Sequence, residues 1–376
     1  MTDSPRVLSI VWNLIRGGTE GQCARLALAM AARGATHRVA VFRREGFFLP
    51  EVERLCGPVH QIDITRMVSS NTLRAVRNLA GLIRREKLEL VHAWDCDAAI
   101  FGSIAARLAG VPCITSHRDL GEIYPAHKLW LMRRADAGAA AVVVNARAIA
   151  ESWAGREIAC RDIVCIPNIL DLDEFDALRT QACPVDPMLP PGRRIGMVTR
   201  LDPEKDGETI IRAAAIVCAK FNDVSFIIVG DGPERAKLAA FTAESGLSAR
   251  VVFTGDVTYV PALLQRFTIG ALVPRSNEGA SNTILEYMAA GLPVVATDCG
   301  GNRELVLDGT TGLVIRPREP SAVAEAIVRL LADSVTAQAM GQRGREKVGR
   351  EHDPKQVAEA FLSLYRRVAA GGTRNA

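Results

Sequence analysis

Residues 274–304, PRSNEGASNTILEYMAAGLPVVATDCGGNRE, constrain the fold of this chain more than any other stretch. An apolar run over 268–273 leads into them, and they comprise a small-residue turn, a helical pattern, a second apolar run over 292–297 and a glycine turn. Strand, glycine turn, helix and strand form the crossover unit of a parallel sheet. Ligands of such sheets bind outside the carboxyl ends of the strands, so the two turns are expected to face one crevice.

Two carboxylates lie beside the first of these turns. Glu278 is in the turn, and Glu286 is about two helical turns further on. Gly279 lets a ligand approach the backbone, and free N–H groups at a helix start bind anions. The carboxylates suit the neutral hydroxyls of a sugar or ribose better than phosphate. The alternative is that Glu278 only favours the helix N-terminus and that Glu286 is on a solvated helix face.

Length and composition define the class of protein. At 376 residues the chain exceeds a typical single core, so two domains are expected. A net charge of +4 argues against a dedicated nucleic-acid binder. Nine cysteines without a CxxC pair, the closest being Cys160 and Cys165, fit free thiols in a reducing cytoplasm. The first apolar run is too short and polar for a signal peptide, and no run reaches the roughly 18 apolar residues of a membrane span. The predicted location is the cytoplasm, at most peripheral to the inner face of the membrane.

Strand and helix patterns alternate along both halves of the chain, which predicts an α/β fold of two doubly wound, Rossmann-like domains facing across a cleft. Strands are predicted over 7–12, 37–42, 59–64, 88–92, 113–116, 141–144, 162–166, 194–199, 225–229, 250–253, 269–273, 294–297 and 312–315. The proline-rich residues 180–194 show no periodicity, so the first domain is assigned to 1–180, a linker to 181–194 and the second domain to 195–353. The apolar stripe of a final helix over about 354–370 predicts that it packs back on the first domain.

Several other turns supply candidate site residues. Gly17 and Gly18 end the first strand, as a phosphate-binding turn would, and Arg200 and Lys205 follow the first strand of the second domain, where they could pair with a diphosphate. His117 comes just after another strand, whereas His92 is assigned either to packing or to supporting residues that contact the ligand. Taken singly, each has a simpler explanation: a tight turn, surface cations or a structural histidine. Neither HxxxH nor HExxH occurs, so no metal site is predicted.

The ordered set of these motifs resembles one enzyme family over nearly the whole chain. Its most specific part is Glu278-x7-Glu286, followed by MAAGLPVVAT over 288–297 and by Gly300-Gly301-x-x-Glu304. Arg200 with Lys205, the Gly17-Gly18 turn and His117 occur at matching intervals. The chain therefore resembles the retaining GT-B glycosyltransferases of glycosyltransferase family 4, the group 1 transferases.

The resemblance implies a role for each residue. Glu286 would hold the ribose of a nucleotide-sugar, Glu278 the hydroxyls of the donor sugar, and Arg200 with Lys205 the diphosphate. His117 would contact the sugar near the reacting carbon. Backbone around the glycine turns would complete the donor site, which comprises Gly17, Gly18, Gly279, Ala280, Ser281, Asn282 and Glu286. Stereochemistry would be retained through a front-face reaction, with no metal and no cofactor beyond the nucleotide-sugar itself.

The chain departs from the family pattern in three places. Ala146 replaces a usual serine, Ile169 replaces the glycine of an Asn-Gly turn, and Asp206 displaces the glycine after Lys205 to Gly207. These changes affect the acceptor side and the hinge rather than the diphosphate set.

The partners remain open at this level. The resemblance implies a UDP- or GDP-sugar as donor and a glycan or lipid-linked acceptor, in bacterial surface polysaccharide or glycoconjugate synthesis. Basic segments over 66–87 and 128–134 indicate either peripheral membrane contact or a solvated helix face. A sugar-nucleotide epimerase of the same architecture and a non-catalytic nucleotide-sugar-binding protein are the alternative functions.

Overall fold

The computed structural model describes residues 4–64, 69–154 and 162–372. The chain forms two compact units, Met1–Ile169 with Pro354–Ala376, and Leu170–Asp353. The chain passes from the first unit to the second after Ile169, which is before the domain end at 180 and the linker over 181–194 that the sequence indicates. Residues after 169 contact the second unit, where Asp176 pairs with Arg345, and Asp186 pairs with Arg266 at 2.7 Å.

In the described part of the first unit, seven parallel strands form one sheet in the order β3-β2-β1-β4-β5-β6-β7. The chain moves outward from β1 in one direction and then in the other, which is the doubly wound arrangement. The strands are β1 (Val7–Val11), β2 (His37–Val41), β3 (His60–Gln61), β4 (Leu90–Ala93), β5 (Cys113–His117), β6 (Ala141–Val144) and β7 (Ile163–Cys165). The helices are α1 (Gly18–Ala31), α2 (Leu49–Cys56), α3 (Ser70–Arg85), α4 (Cys96–Ala109), α5 (Ala126–Ala137) and α6 (Arg147–Ala154).

The second unit repeats this plan with six described strands in the order β10-β9-β8-β11-β12-β13. The strands are β8 (Arg193–Val198), β9 (Val224–Val229), β10 (Val251–Gly255), β11 (Ile269–Leu272), β12 (Val294–Thr297) and β13 (Gly312–Ile315). The helices are α7 (Leu172–Arg179), α8 (Gly207–Lys220), α9 (Arg235–Glu244), α10 (Val260–Leu264), α11 (Asn282–Ala289), α12 (Asn302–Leu305), α13 (Pro320–Ala332) and α14 (Ser334–Glu351). The winding reverses between β8 and β11, so the loops after these two strands are neighbours.

The predicted parallel α/β alternation is confirmed, with local differences. The strand expected over 59–64 is reduced to β3, which pairs with β2 through only two residues at the edge of the sheet. Helix α5 was not predicted, because it buries only Met132, Ala135 and Asp136 and so has no apolar stripe. No helix in the described ranges is long and apolar enough to cross a membrane.

The last helix, α15 (Pro354–Gly372), packs into the core of the first unit. Val357, Phe361, Leu364 and Val368 line its buried stripe. Tyr365 adds a polar anchor, because its hydroxyl oxygen lies 2.7 Å from Nδ1 of the fully buried His92. The assignment of His92 to packing is confirmed.

A second buried histidine, His37, should make the stability of the first unit depend on pH. Its Nε2 lies 2.8 Å from the hydroxyl oxygen of Ser9, which accepts a hydrogen bond from Nε1 of Trp94 at 3.0 Å. Burial lowers the pKa of His37 to about 4. Below about pH 6.5 the unfolded chain binds a proton that the native state does not, so stability should fall by up to about 1.4 kcal/mol per pH unit until the folded pKa is reached.

Thermal melts between pH 7 and pH 4 check this expectation. His37→Gln should flatten the decline, whereas His127→Gln, at an exposed position on α5, should leave it unchanged. Equal slopes in the two variants would contradict the assignment of this pH dependence to His37.

Candidate functional site

The two glycine turns of residues 274–304 lie against each other at the carboxyl ends of β11 and β12. The amide of Gly301 donates to the carbonyl oxygen of Gly279 at 3.2 Å. Gly300 has a φ of +54°, and a Cβ at that position would lie 1.7 Å from the carbonyl oxygen of Glu278. Only glycine can bring the second turn this close to the first, so the second turn supports the backbone of Glu278.

A buried ion pair is the centre of the site. Lys205 lies in the loop after β8, and its Nζ donates to Oε2 of Glu278 at 2.7 Å. The two side chains are 20% and 12% exposed. Burial acts to lower the pKa of Lys205, but the charge and hydrogen bond of Glu278 raise it overall. A cation and a carboxylate are thus held side by side at the edge of the sheet where ligands bind.

The loops that carry this pair are joined through the backbone. The amide of Arg275, after β11, donates to the carbonyl oxygen of Glu204, after β8, at 2.8 Å. Asp206 next to Lys205 adopts a left-handed conformation with φ +54°, which aspartate tolerates better than most residues. Its Oδ2 accepts a hydrogen bond from Thr209 at 2.8 Å, so the aspartate replaces the family's glycine without losing the turn.

Arg200 is placed differently from Lys205. Its side chain is 75% exposed, and its guanidinium donates to both carboxylate oxygens of Asp202, at 2.8 and 3.1 Å. The charge and hydrogen bonds of Asp202 raise the pKa of Arg200. The structure therefore brings Lys205 to Glu278, whereas the exposed side chain of Arg200 pairs with its neighbour Asp202.

Helix α11 begins directly after the first glycine turn. Ser281 is its N-cap and accepts a hydrogen bond from the amide of Ile284 at 3.5 Å, while Asn282 is the first helical residue. Gly279 and Ala280 are buried just before the cap. Glu286 is partly exposed on the helix.

Tyr287 links strands β8 and β11 through its hydroxyl, a contact that the sequence did not predict. Its buried hydroxyl accepts from the amide of Val198 at 2.7 Å and lies near the carbonyl oxygens of Gly196 and Ala271, at 3.2 and 3.3 Å. A Cβ on Gly270 would lie 2.4 Å from the tyrosine ring. Gly270 inside strand β11 was the available signal, because a glycine within a strand often marks close approach by another group.

The first unit holds the remaining predicted residues. Gly17 is the N-cap of α1 and Gly18 its first residue. The carboxylate of Glu20 folds back over this helix start, because a Cβ on Gly17 would lie 2.2 Å from its Oε2. Burial raises the pKa of Glu20. In this structure a carboxylate therefore lies where the sequence predicts a phosphate.

His117 is buried at the end of β5. Its Nε2 lies 2.9 Å from Oδ2 of Asp136, and its ring stacks on Trp153 with 3.9 Å between the ring centroids. The contact that it would make with a donor sugar stays a prediction. Within the described ranges, no group of three or more potential ligand side chains is arranged to hold a metal ion.

Comparison with known proteins links both units to one family. The model named Glycosyltransferase Family 4 matches residues 16–174, and the model named Glycosyl transferases group 1 matches residues 192–333. The first range contains Gly17, Gly18 and His117, and the second contains the Lys205–Glu278 pair.

Individual relatives extend over most of the chain. The 2-deoxystreptamine glucosyltransferase of Streptomyces kanamyceticus is 28% identical over 386 residues, covering 92% of this chain and 98% of the relative. The UDP-Gal:alpha-D-GlcNAc-diphosphoundecaprenol alpha-1,3-galactosyltransferase of Escherichia coli is 28% identical over 317 residues, covering 78% and 79%. The crystal structure of Anabaena HepE in complex with UDP and glucose matches with a TM-score of 0.83 at 22% identity, covering 96% and 99%. The chain therefore belongs to the group 1 glycosyltransferases of glycosyltransferase family 4 and has the GT-B fold.

Proposed function

We propose that this protein is a retaining, metal-independent glycosyltransferase that moves a hexose from a UDP- or GDP-sugar to a glycan or lipid-linked acceptor. The observation that carries the proposal is the buried Lys205–Glu278 pair at 2.7 Å. A nucleotide-sugar presents an anionic diphosphate next to neutral hydroxyls. The ammonium group of Lys205 can pair with the diphosphate, and the carboxylate of Glu278 next to it can accept hydrogen bonds from the hydroxyls.

Positive charge at the diphosphate would supply most of the catalysis. As the bond between the anomeric carbon and the phosphate oxygen breaks, negative charge grows on the departing diphosphate, and Lys205 stabilises it. Arg200 adds a second cation, since an exposed ion pair such as Arg200–Asp202 is weak and can exchange Asp202 for phosphate. These two cations take the part that a divalent metal plays in other transferases.

The remaining residues position the two substrates. Glu278 accepts hydrogen bonds from the hydroxyls of the donor sugar, and Glu286 accepts them from the ribose. The leaving phosphate removes the proton of the acceptor hydroxyl on the same face of the sugar, so configuration is retained without a covalent glycosyl-enzyme. His117 contacts the sugar near the reacting carbon.

The biological setting is surface polysaccharide or glycoconjugate synthesis in the cytoplasm. The names of the two relatives support a hydroxylated acceptor. One relative is named for 2-deoxystreptamine, and the other for a GlcNAc linked through diphosphate to undecaprenol.

Nucleotide binding gives the first test. In a thermal-shift screen of UDP, GDP and ADP without added metal, UDP or GDP should raise the melting temperature, because a ligand at 100 times its Kd stabilises by about 2.7 kcal/mol. Glu286→Ala should abolish that shift, and Glu325→Ala, an exposed carboxylate on α13, should preserve it. No shift with any nucleotide would contradict the proposal.

Product analysis separates the transferase from the alternatives. A transferase yields a glycoside or slowly hydrolyses the donor, an epimerase yields an isomerised sugar-nucleotide, and a binding protein yields neither. An NMR spectrum in which the product's anomeric configuration differs from the donor's would contradict retention, and trapping of a covalent glycosyl-enzyme would contradict the front-face reaction.

Membrane contact through the first unit is a further part of the proposal. Helix α4 packs between the basic helices α3 and α5. Arg84 donates to the carbonyl oxygen of Leu108 at the end of α4, and Ile104, Leu108 and Trp130 are about half exposed beside it. Arg66, also in the first predicted basic segment, is outside the described residues. Mixed basic and apolar side chains on one surface favour an anionic membrane.

Sedimentation with liposomes rich in anionic lipid checks the membrane contact. Arg84→Glu combined with Arg85→Glu should release the protein, since each cation near such a surface contributes about 1 kcal/mol. The matched control is Arg343→Glu with Arg350→Glu on α14 of the second unit. Undiminished binding of the α3 variant would exclude that helix from the contact.

A further inference from the structure

A buried pair of side chains, His117 and Asp136, connects β5 with α5 in the first unit. His117 ends β5, Asp136 lies near the end of α5, and their side chains are 1% and 0% exposed. Nε2 of His117 lies 2.9 Å from Oδ2 of Asp136. The other carboxylate oxygen, Oδ1, accepts a hydrogen bond from the hydroxyl of Thr115 at 2.7 Å. Both oxygens of this fully buried carboxylate are therefore engaged by the protein.

These hydrogen bonds decide which ring nitrogen of His117 carries a proton. An ionised carboxylate only accepts hydrogen bonds, so Nε2 is the donor to Asp136. In a neutral imidazole the other nitrogen, Nδ1, then has a free lone pair. Nδ1 makes no hydrogen bond with any residue of the described ranges. One nitrogen of the ring is thus bound to the protein, and the other is available as an acceptor.

The plane of the same ring is held by an aromatic contact. Trp153 stacks on His117 with 3.9 Å between the ring centroids and 16° between the ring planes. Nε1 of Trp153 donates to the carbonyl oxygen of Asp119, in the loop after β5, at 2.9 Å. Rotation of the imidazole would break either this stack or the hydrogen bond to Asp136, so the orientation of Nδ1 is fixed by the fold.

The charge of the pair suits the transfer of a glycosyl group. Positive charge develops on the sugar ring as the bond to the anomeric carbon breaks. A carboxylate that accepts from one nitrogen of an imidazole raises the electron density on the other nitrogen. An electron-rich Nδ1 accepts a hydrogen bond from a sugar hydroxyl and stabilises nearby positive charge, whereas an N–H group at the same place would oppose that charge.

We propose that Asp136 is a positioning residue for the transfer reaction. It holds His117 in the tautomer with the proton on Nε2, so that Nδ1 accepts a hydrogen bond from a hydroxyl of the donor sugar. This inference rests on the proposed transferase function, in which His117 contacts that sugar. Asp136 acts through the histidine and does not touch the substrate, since its side chain is fully buried.

Nitrogen-15 NMR of the histidine rings tests the tautomer in the unaltered protein. The chain contains six histidines, and the signals that His117→Gln removes identify those of His117. At neutral pH the proton should be on Nε2, and Nδ1 should carry none. A proton on Nδ1, in a neutral or a cationic ring, would overturn the proposal. This measurement decides the question even if a variant at Asp136 does not fold.

Asp136→Asn tests whether the tautomer matters for the reaction. The amide removes the charge, and its NH₂ group can donate to Nε2, which moves the ring proton to Nδ1. The rate of nucleotide release is measured with whichever of UDP-glucose, UDP-galactose and GDP-mannose the wild type hydrolyses fastest. The kcat should fall by about 10-fold or more, because a carboxylate that sets a histidine tautomer is costly to replace. Binding of the free nucleotide should be unchanged.

Ser116→Ala is the matched control. Ser116 is a buried residue of the same strand, and its hydroxyl oxygen lies 2.8 Å from Nε2 of His92. Loss of that buried hydrogen bond should lower the melting temperature but leave the tautomer of His117 and the kcat as they are.

A purely structural role for Asp136 gives a different result. If Asp136→Asn lowers the melting temperature but keeps a kcat within about threefold of the control's, the proposal is overturned. Normal nucleotide binding in that case would show that the transferase function itself stands. A wild type that neither binds a nucleotide nor hydrolyses any of the three donors would overturn the transferase function, and this proposal with it.

Discussion

Replacing Lys205 with methionine is expected to lower transferase activity by about 10²–10³-fold, the usual effect of removing one group that stabilises charge in a transition state. Lys205 is the partly buried cation of the proposed donor site, and its Nζ donates to Glu278. Methionine preserves the volume of the side chain and removes only the charge. The rate of nucleotide release under saturating donor measures the loss.

The same variant should also be less stable. It leaves the carboxylate of Glu278, which is 12% exposed, without its cation. Breaking a largely buried pair from one side typically costs about 3–5 kcal/mol, and the partial exposure of Lys205 places the expected cost at or below the lower end. Adding Glu278→Gln should recover stability in the double variant but not activity, because the proposed function also assigns Glu278 to the hydroxyls of the donor sugar.

Lys237→Met is the matched control for charge and residue type. Lys237 pairs with Glu234 at 2.8 Å, but its side chain is 65% exposed. An exposed pair contributes about 0–1 kcal/mol, so this variant should keep its stability and its rate. A Lys205→Met rate within about threefold of the control's would exclude Lys205 from leaving-group stabilisation.

Replacing Gly300 with alanine is expected to give the second large effect. The left-handed conformation alone costs a non-glycine residue about 1–2 kcal/mol. The new Cβ would also lie 1.7 Å from the carbonyl oxygen of Glu278, which is backbone and cannot rotate away. The turn that carries Glu278 must therefore shift, and a displacement of about 1 Å in a catalytic group can cost about 10²-fold in rate.

Gly309→Ala isolates the steric part of this effect. Gly309 is also left-handed, with φ +69°, but a Cβ there meets nothing within 4 Å. Gly309→Ala should lose only the stability that a left-handed conformation costs a non-glycine residue, and its rate of donor turnover should be unchanged. Thermal melts and donor turnover of the two variants measure the difference. Equal stability and equal rates would show that contact between the two glycine turns does not position Glu278.

Local sequence patterns predicted most of the secondary structure, and the failures have physical causes. Strands such as β1 and β12 are buried along their whole length, so each appears as an apolar run. The edge strand β3 has one neighbour and pairs through only two residues, so it is shorter than the strand that the apolar pattern over 59–64 predicts. Helix α5 is mostly solvated, and its burial comes from tertiary packing rather than from an apolar stripe.

The predicted roles of the site residues came from the resemblance to a known family, and neither that resemblance nor the motif spacing gave their contacts in the structure. Glu20 over Gly17, Asp136 and Trp153 around His117, and Tyr287 against Gly270 are contacts that no local pattern encodes.

The sequence by itself determined the order of strands and helices, the glycine turns at strand ends and the spacing of Glu278 and Glu286, because hydrophobic periodicity and turn chemistry are local properties. The tertiary structure alone decided that Lys205 pairs with Glu278, 73 residues apart. That pairing follows from the position of β8 beside β11. Strand order is set by the burial of whole sheet faces, and no short segment of the chain carries that information.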